Sequence, residues 1–171
     1  ILDIDPDGKG GLWIATWGGG LNHFNPEKEE FTQYRSIAGD SSSISSDVAW
    51  LIFEDSQGAF WIGTESGLNL FNPQTDQFTR YLNDPSDEQS ISNNLIVGLF
   101  EDSEGRLWIG TQDGLNRFNQ ETGDFTRFYH DPMDASSLSH NTIFTFFEDE
   151  NNTLWIGTYG GGLNRYNRES E

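Results

Sequence analysis

The sequence contains no cysteine, and this absence excludes several kinds of site at once. Without a thiol there is no disulfide, no thiolate zinc ligand and no cysteine nucleophile. No apolar run is long enough to span a bilayer, and the start does not resemble a signal peptide. The first residue is not Met, so we expect the chain to be a piece of a longer protein.

Positively charged residues are also scarce. The chain has 9 Lys and Arg against 28 Asp and Glu, which gives a formal net charge of −19. A surface of this sign repels phosphate backbones and anionic lipid headgroups. We therefore expect no nucleic-acid partner and no membrane contact by this segment.

Aromatic residues and glycines are plentiful. Aromatic side chains make up 14% of the 171 residues, and 19 glycines stand against 5 prolines. A chain of this length can bury a sizeable core, and its glycines suit many tight turns.

One short motif occurs four times, as Leu12–Thr16, Phe60–Thr64, Leu107–Thr111 and Leu154–Thr158. Its tryptophans fall 48, 47 and 47 residues apart, and each copy is followed by Gly-Leu-Asn. A period of this length is typical of repeat architectures.

The segments around each tryptophan predict four strands per repeat. A polar turn before the tryptophan starts with Asp and ends with Gly or Asn, as in Asp55–Gly58, which predicts a hairpin closed by a left-handed residue. Alternating β-branched and aromatic residues predict strands on both sides of this turn and two more after it. The predicted first strands are 1–4, 49–53, 96–100 and 143–147; the third are 21–25, 68–72, 115–119 and 163–167; the fourth are 31–34, 78–81 and 125–128.

This pattern predicts an all-β chain, a β-propeller fragment of about four blades. Each blade is a four-stranded antiparallel sheet, and the last lacks its outer strand. The blades with their connections are expected at 1–46, 47–93, 94–140 and 141–171. Open blade faces would expose apolar surface, so we expect a homo-oligomer, for example two copies completing an eight-bladed ring.

Two segments carry a resemblance to a known family. The run Glu101–Phe118 and the connection Tyr129–Asn141 resemble the two-component regulator propeller repeat. The resemblance implies a ligand-sensing propeller in the periplasm, as found in bacterial hybrid histidine kinases and diguanylate cyclases. It also implies a small-molecule or oligosaccharide ligand.

The candidate ligand-binding residues are those at which the repeats differ. In the turn after the tryptophan strand, Trp17 and Tyr159 stand beside flexible glycines, where the third repeat has Asp113. Each aromatic could stack on a ligand or cover a neighbouring blade, and the sequence leaves both open. The four repeated tryptophans are predicted to pack between blades.

Three polar residues lie fourteen positions before a tryptophan, namely Asp47, Asn94 and Asn141. They are candidates for orienting a ligand at the mouth of the propeller channel, or for capping the turn into the first strand, which we favour. The recurring arginines Arg80, Arg117, Arg127 and Arg165 are expected to form surface ion pairs.

The sequence favours a binding module over two alternatives. One alternative is a structural, self-associating role, and the other is a propeller lyase or hydrolase. The three histidines lack metal-ligand spacing, and no catalytic triad is evident, so we expect no metal, no cofactor and no enzymatic activity. The turn that contains Asp5 and Asp7 is interpreted as a hairpin and not as a calcium loop.

Overall fold

The computed structural model describes residues 1–168, which form β-strands and turns without a helix. Within these residues, there is no helix that could cross a membrane. The chain divides into two compact units, Ile1–Leu82 and Asn83–Glu171. The first contains β1 (Asp3–Pro6), β2 (Leu12–Ala15), β3 (Leu21–Asn25), β4 (Glu30–Tyr34), β5 (Ala49–Glu54), β6 (Phe60–Thr64), β7 (Gly67–Asn72) and β8 (Gln77–Tyr81). The second contains β9 (Ile96–Glu101), β10 (Leu107–Thr111), β11 (Gly114–Phe118), β12 (Phe125–Phe128), β13 (Ile143–Glu148), β14 (Leu154–Thr158) and β15 (Gly162–Arg165).

Each repeat forms one antiparallel sheet whose strand order follows the chain. Sheets 1 and 2 (β1–β4 and β5–β8) belong to the first unit; sheets 3 and 4 (β9–β12 and β13–β15) belong to the second. Sheet 4 has three strands within the described residues. The predicted all-β class and the blade-like sheets are confirmed.

The strand boundaries differ from the prediction mainly at the two ends of the chain. The first strand runs from Asp3 to Pro6 and not over 1–4, because the hairpin turn fixes the pairing of Pro6 with Leu12. The last described strand is Gly162–Arg165, shorter than the predicted 163–167.

The hairpin turn before each tryptophan strand has the predicted geometry. Its last residue is left-handed in every repeat, with φ of 95° at Gly10, 78° at Gly58, 75° at Gly105 and 58° at Asn152. Its first residue is an aspartate whose Oδ1 accepts two turn amides; in sheet 2, Asp55 accepts from Gln57 and Ala59. These bonds satisfy the backbone of the turn and fix the register of β5 against β6.

The second carboxylate oxygen of this aspartate holds the tryptophan in three of the four repeats. The indole N–H of Trp61 donates to Asp55 Oδ2 over 2.9 Å, as do Trp108 to Asp102 and Trp155 to Asp149. Burial opposes the charge of Asp102, but hydrogen bonds from Trp108 and Arg106 hold its pKa below the ordinary value. The aspartate therefore links the turn to the packing residue.

Two of the repeated tryptophans, Trp13 and Trp108, pack between sheets, as predicted. In the first unit, the ring of Trp13 lies 5.0 Å from Phe60 and 5.1 Å from Phe71 of sheet 2. In the second unit, Trp108 is fully buried and lies 4.8 Å from Tyr166, just after β15. Aromatic pairs at these distances stabilise the packing beyond the area that they bury.

In sheets 2, 3 and 4, the asparagine of the Gly-Leu-Asn segment binds the connection that precedes its own sheet. The buried Asn69 accepts the amide of Ser45 and donates to Ser45 Oγ and to the Ile62 carbonyl. Asn116 repeats this set with Ser92 and Ile109. The apolar residue of each connection is buried beside it, as expected, at Ile44, Ile91 and Leu138.

Two of the recurring arginines have a different role from the one expected. Arg80 donates to the carbonyls of Asp40 and Ser43, and Arg127 donates to those of Asp87 and Ser90. The prediction of surface ion pairs is therefore wrong for these two. The planar guanidinium has several donors in a fixed fork, which suits the neighbouring carbonyls of a tight loop. Arg117 lies over the Trp108 ring, 6.0 Å from its centroid.

Candidate ligand-binding face

The turns that follow the tryptophan strands lie against the ends of the connections. In the first unit, the amides of Gly18 and Gly20 donate to the Asp47 carbonyl over 3.0 and 2.8 Å. Trp17 forms a β-bridge with Val48, whose carbonyl accepts the amide of Glu65. Each of these turns is therefore joined to the start of a first strand, which places turn and connection at one face of the unit.

Trp17 is both exposed and packed. It is 65% exposed, and its ring lies edge-on to Trp50 of β5 with 5.2 Å between centroids. The indole N–H of Trp50 is buried without a hydrogen-bond partner. Trp17 thus covers the neighbouring sheet and still presents most of its surface to solvent, so both interpretations of this residue are compatible with its position.

The second unit repeats this arrangement. The amide of Gln112 donates to Leu95, that of Gly114 to Asn141, and that of Tyr159 to Thr142. The Thr142 hydroxyl also donates to the Gln112 carbonyl over 2.8 Å. As a result, Asp113 and Asn141 lie next to each other. Asn94 and Tyr159 lie on neighbouring segments of the same face.

Tyr159 has a similar exposure but a different neighbour. It is 69% exposed, and its ring lies 5.9 Å from Phe144 in β13 of its own sheet. Trp17, in contrast, lies on the next sheet. The turns of Trp17 and Tyr159 therefore place an aromatic side chain at corresponding positions but direct it toward different strands.

Asp47, Asn94 and Asn141 each close a connection with the side-chain oxygen. They accept the amides of Ser36, Asn83 and His130 over 2.8, 2.7 and 2.6 Å. The partner lies eleven residues earlier in each case, so the bond joins the two ends of one connection. This bond resembles the favoured role for these residues, which is to cap the turn into the first strand.

Two of these residues carry a further contact on the same face. Asp47 pairs with Arg35 over 3.0 Å, and the Asn141 amide donates to the Asp113 carboxylate over 2.8 Å. The Asn141–Asp113 bond is exposed, so it is accessible to solvent and to a ligand. It joins two of the residues that the sequence singled out separately.

Other carboxylates of the connections are engaged within their own turns. Asp84 accepts both the amide and the hydroxyl of Ser86, and Asp134 does the same with Ser136. The serine hydroxyls lower the pKa of both carboxyl groups, because they bind the charged form. These loops are therefore internally satisfied, and the exposed aromatics are the more available contacts.

The sequence did not single out Trp50 and Phe144, the partners of the exposed aromatics. Both stand eleven residues before a repeated tryptophan, where the third repeat has Val97. The difference between the repeats at this position could have indicated these two residues. Their role, however, depends on which turn lies opposite, and packing between sheets determines that. The structure also contains a pocket in the first unit, beside His23, that the sequence did not predict.

Three segments match one family model, described as "Two component regulator propeller": residues 43–66, 90–113 and 137–160. Each segment runs from the tail of a connection to the turn after the tryptophan strand. Blade-like sheets and repeated motifs thus define a propeller-repeat protein, and three of its segments are similar to the two component regulator propeller repeat.

Solved structures of extracellular domains of two component systems show the same fold over 98% of this chain. One is the extracellular domain of BT3049 from B. thetaiotaomicron, assigned to the hybrid two component systems, with 26% identity and a TM-score of 0.78. Another is the extracellular domain of BT4673 from the same organism, with 29% identity and a TM-score of 0.74. The chain covers 24% and 21% of these two chains, so it spans about a quarter of their length.

An enzyme shares the fold at lower identity. Virginiamycin B lyase from Staphylococcus aureus is 15% identical, with a TM-score of 0.60, and aligns over 98% of this chain and 55% of its own. At this identity the likeness concerns the fold alone. The comparison with curated proteins gives no match.

Proposed function

We propose that this chain is a ligand-binding segment of a bacterial extracytoplasmic sensor, and that it acts without catalysis. The observation that carries the proposal is its match, over nearly its whole length, to extracellular domains of two component systems. The family repeats support the same assignment. By analogy with these domains, the segment is expected on the outer side of the cytoplasmic membrane.

The histidine contacts support a role without catalysis. His23 pairs with Asp7, His130 with the Leu138 carbonyl and His140 with the amide of Thr142. None of these rings is bonded to a hydroxyl nucleophile within residues 1–168. The same residues hold no cluster of acidic and histidine side chains suited to a metal.

The proposed ligand is a neutral oligosaccharide bound at the face of the turns and connections. In the first unit, the exposed ring of Trp17 offers a flat apolar surface for a sugar ring. In the second unit, Tyr159 offers such a ring, and Asp113 with Asn141 offers polar groups. The net charge of −19 disfavours sulfated or uronic-acid chains, because like charges repel.

A thermal-shift screen tests this ligand class. Neutral oligosaccharides are expected to raise the melting temperature, whereas sulfated chains of equal length are not. For a hit, Trp17→Ala or Tyr159→Ala should weaken binding about tenfold, since one stacking contact is lost. The matched control is Phe31→Ala, which removes an aromatic ring of similar exposure from β4.

Two results would contradict the proposal. One is a panel in which no neutral oligosaccharide shifts the melting temperature. The other is a verified ligand whose affinity is the same for wild type, Trp17→Ala and Tyr159→Ala. A loss in the Phe31→Ala control alone would place the site elsewhere.

We propose in addition that the isolated chain associates with a second copy through uncovered sheet faces. Leu163 of sheet 4 is 64% exposed, whereas its equivalents Leu68 and Leu115 are 0% and 1% exposed. In sheet 1, Phe31 is 64% exposed where Phe78 and Phe125 are each at 5%. Apolar patches that other repeats bury mark a surface for association.

A further inference from the structure

The first unit contains a pocket between sheets 1 and 2, with a volume of about 530 Å³. It opens among the hairpin turns at the ends of the strands opposite to the turns of Trp17 and Glu65. Aromatic rings of Trp13, Tyr34 and Phe71 form one part of the wall, and the carboxylates of Glu54 and Asp76 lie in another. The pocket is therefore separate from the proposed oligosaccharide face.

The corresponding place in the second unit holds arginine side chains. Arg106 bonds to Asp102 over 2.8 Å, and its guanidinium lies 5.9 Å from the centroids of both Trp108 and Tyr166. Arg168 pairs with Glu104 and Glu148 and approaches Asp102 to 3.6 Å. This protein thus places guanidinium groups between two sheets, against a tryptophan and several carboxylates.

The first unit lacks both of these arginines and also lacks the equivalent of Arg117. Alignment on the tryptophan and the strand pairing place Gly11, His23 and Pro73 where the second unit has Arg106, Arg117 and Arg168. All three replacements line the pocket. The pocket is therefore the space that the arginine side chains fill in the second unit.

His23 contacts the turn aspartate of the first unit, as Arg106 does in the second unit. Its Nε2 lies 2.8 Å from Asp7 Oδ2, and its ring lies 4.4 Å from that of Trp13. This matches the position of Arg106 between Asp102 and Trp108. Burial opposes the charge of Asp7, but bonds from His23 and the turn amides keep its pKa below the ordinary value.

The position of Arg168 has no such replacement. In the second unit, Glu148 accepts the amide and hydroxyl of Ser103 and pairs with Arg168. Its equivalent is Glu54, and the first unit has Gly8 and Pro73 at the positions of Ser103 and Arg168. No hydrogen bond or ion pair is formed by the Glu54 side chain among residues 1–168. Asp76 adds a second carboxylate, which within the described part of the chain accepts only the Tyr34 hydroxyl, over 3.1 Å.

We propose that this pocket binds the guanidinium group of a ligand at the position that Arg168 holds in the second unit. Glu54 supplies a planar carboxylate that can accept two N–H groups, and Tyr34 and Phe71 supply aromatic surface for the flat cation. The strongly negative chain attracts such a ligand electrostatically. Lys9, which stands where the second unit has Glu104, lies at the pocket and forms no ion pair among residues 1–168.

The indole N–H of Trp13 provides a direct readout. Trp13 is 7% exposed and lines the pocket, and its N–H has no hydrogen-bond partner among residues 1–168, unlike those of Trp61, Trp108 and Trp155. Its NMR signal can be assigned by its loss in Trp13→Phe. Agmatine, a small guanidinium compound, is expected to shift this signal saturably, and an arginine-containing peptide tests whether a chain-borne group also enters.

Variants separate the site from a general attraction of cations. Pro73→Arg restores the arginine of the second unit, so it should fill the pocket and abolish the agmatine shift. Gln74→Arg adds the same charge at the next, exposed residue and should leave the shift in place. Glu54→Gln should weaken agmatine binding about tenfold, because a charged acceptor is lost.

The absence of an agmatine shift in the wild-type protein would overturn the proposal. So would an undiminished shift in a folded Pro73→Arg variant, or an equal shift with putrescine, which has the charge but no guanidinium. If Pro73→Arg fails to fold, Glu54→Gln decides, and an unchanged affinity in that variant has the same meaning.

Discussion

Replacing Trp108 with alanine is expected to lower the free energy of unfolding by about 3–5 kcal/mol. Trp108 is fully buried, and its ring contacts Phe128 of its own sheet and Tyr166 after β15. The substitution removes these contacts and leaves a cavity between sheets 3 and 4. It also removes the indole N–H that Asp102 accepts.

The matched control is Trp17→Ala, which removes the same side chain from a position that is 65% exposed. Its unfolding free energy should change by less than about 1 kcal/mol, since little apolar surface leaves the core. Chemical unfolding followed by circular dichroism measures both variants. Equal losses for Trp108 and Trp17 would contradict the division between packing tryptophans and surface aromatics.

Replacing Asn116 with alanine is expected to cost about 2–4 kcal/mol. The buried side chain of Asn116 accepts the amide of Ser92 and donates to Ser92 Oγ and to the Ile109 carbonyl. Alanine satisfies none of these groups and leaves them buried. The connection that precedes sheet 3 should therefore loosen, and its amides should exchange faster with solvent.

Asn22→Ala is the control for this prediction. Asn22 occupies the same position of the motif in sheet 1, but among the described residues its side chain donates only to the Gly19 carbonyl, over 3.4 Å. Its replacement should cost less than about 1 kcal/mol. A loss for Asn22→Ala as large as that for Asn116→Ala would show that the motif acts through strand propensity and not through its hydrogen bonds to the connection.

Much of the fold could be predicted because each repeat restates the same local chemistry. The Asp and Gly or Asn residues at fixed distances from the tryptophan determine the hairpin, and the hairpin determines the register. The predicted first strand, 1–4, is wrong because the prediction followed the apolar residues and left out that register. Asp3–Pro6 is a strand because of its pairing with Leu12–Ala15, despite its polar sequence.

The polar contacts between residues far apart in the sequence could not be predicted in this way. Arg80 reaches carbonyls about forty residues earlier, and nothing near it in the sequence specifies those acceptors. The bond between the turn aspartate and the tryptophan is local, six residues apart, and its recurrence was visible. Its geometry, however, depends on the twist of the hairpin.

Only part of the candidate site could be predicted from the sequence. The differences between repeats located Trp17 and Tyr159, and the structure places both turns beside connection ends. The partners Trp50 and Phe144 depend on which strand lies opposite each turn. The pocket beside His23 depends on three replacements that are separate in sequence and meet only between two packed sheets.

Each sheet of this protein is a blade built to be covered on both faces by another blade. The mass of the particle in solution, measured by light scattering over a concentration series, tests it most directly. The chain of 19.3 kDa should form a dimer or larger species, and Leu163→Asp should shift it toward the monomer, whereas Met133→Asp, at an exposed connection, should not. A folded wild-type chain that stays monomeric at every concentration would contradict the claim.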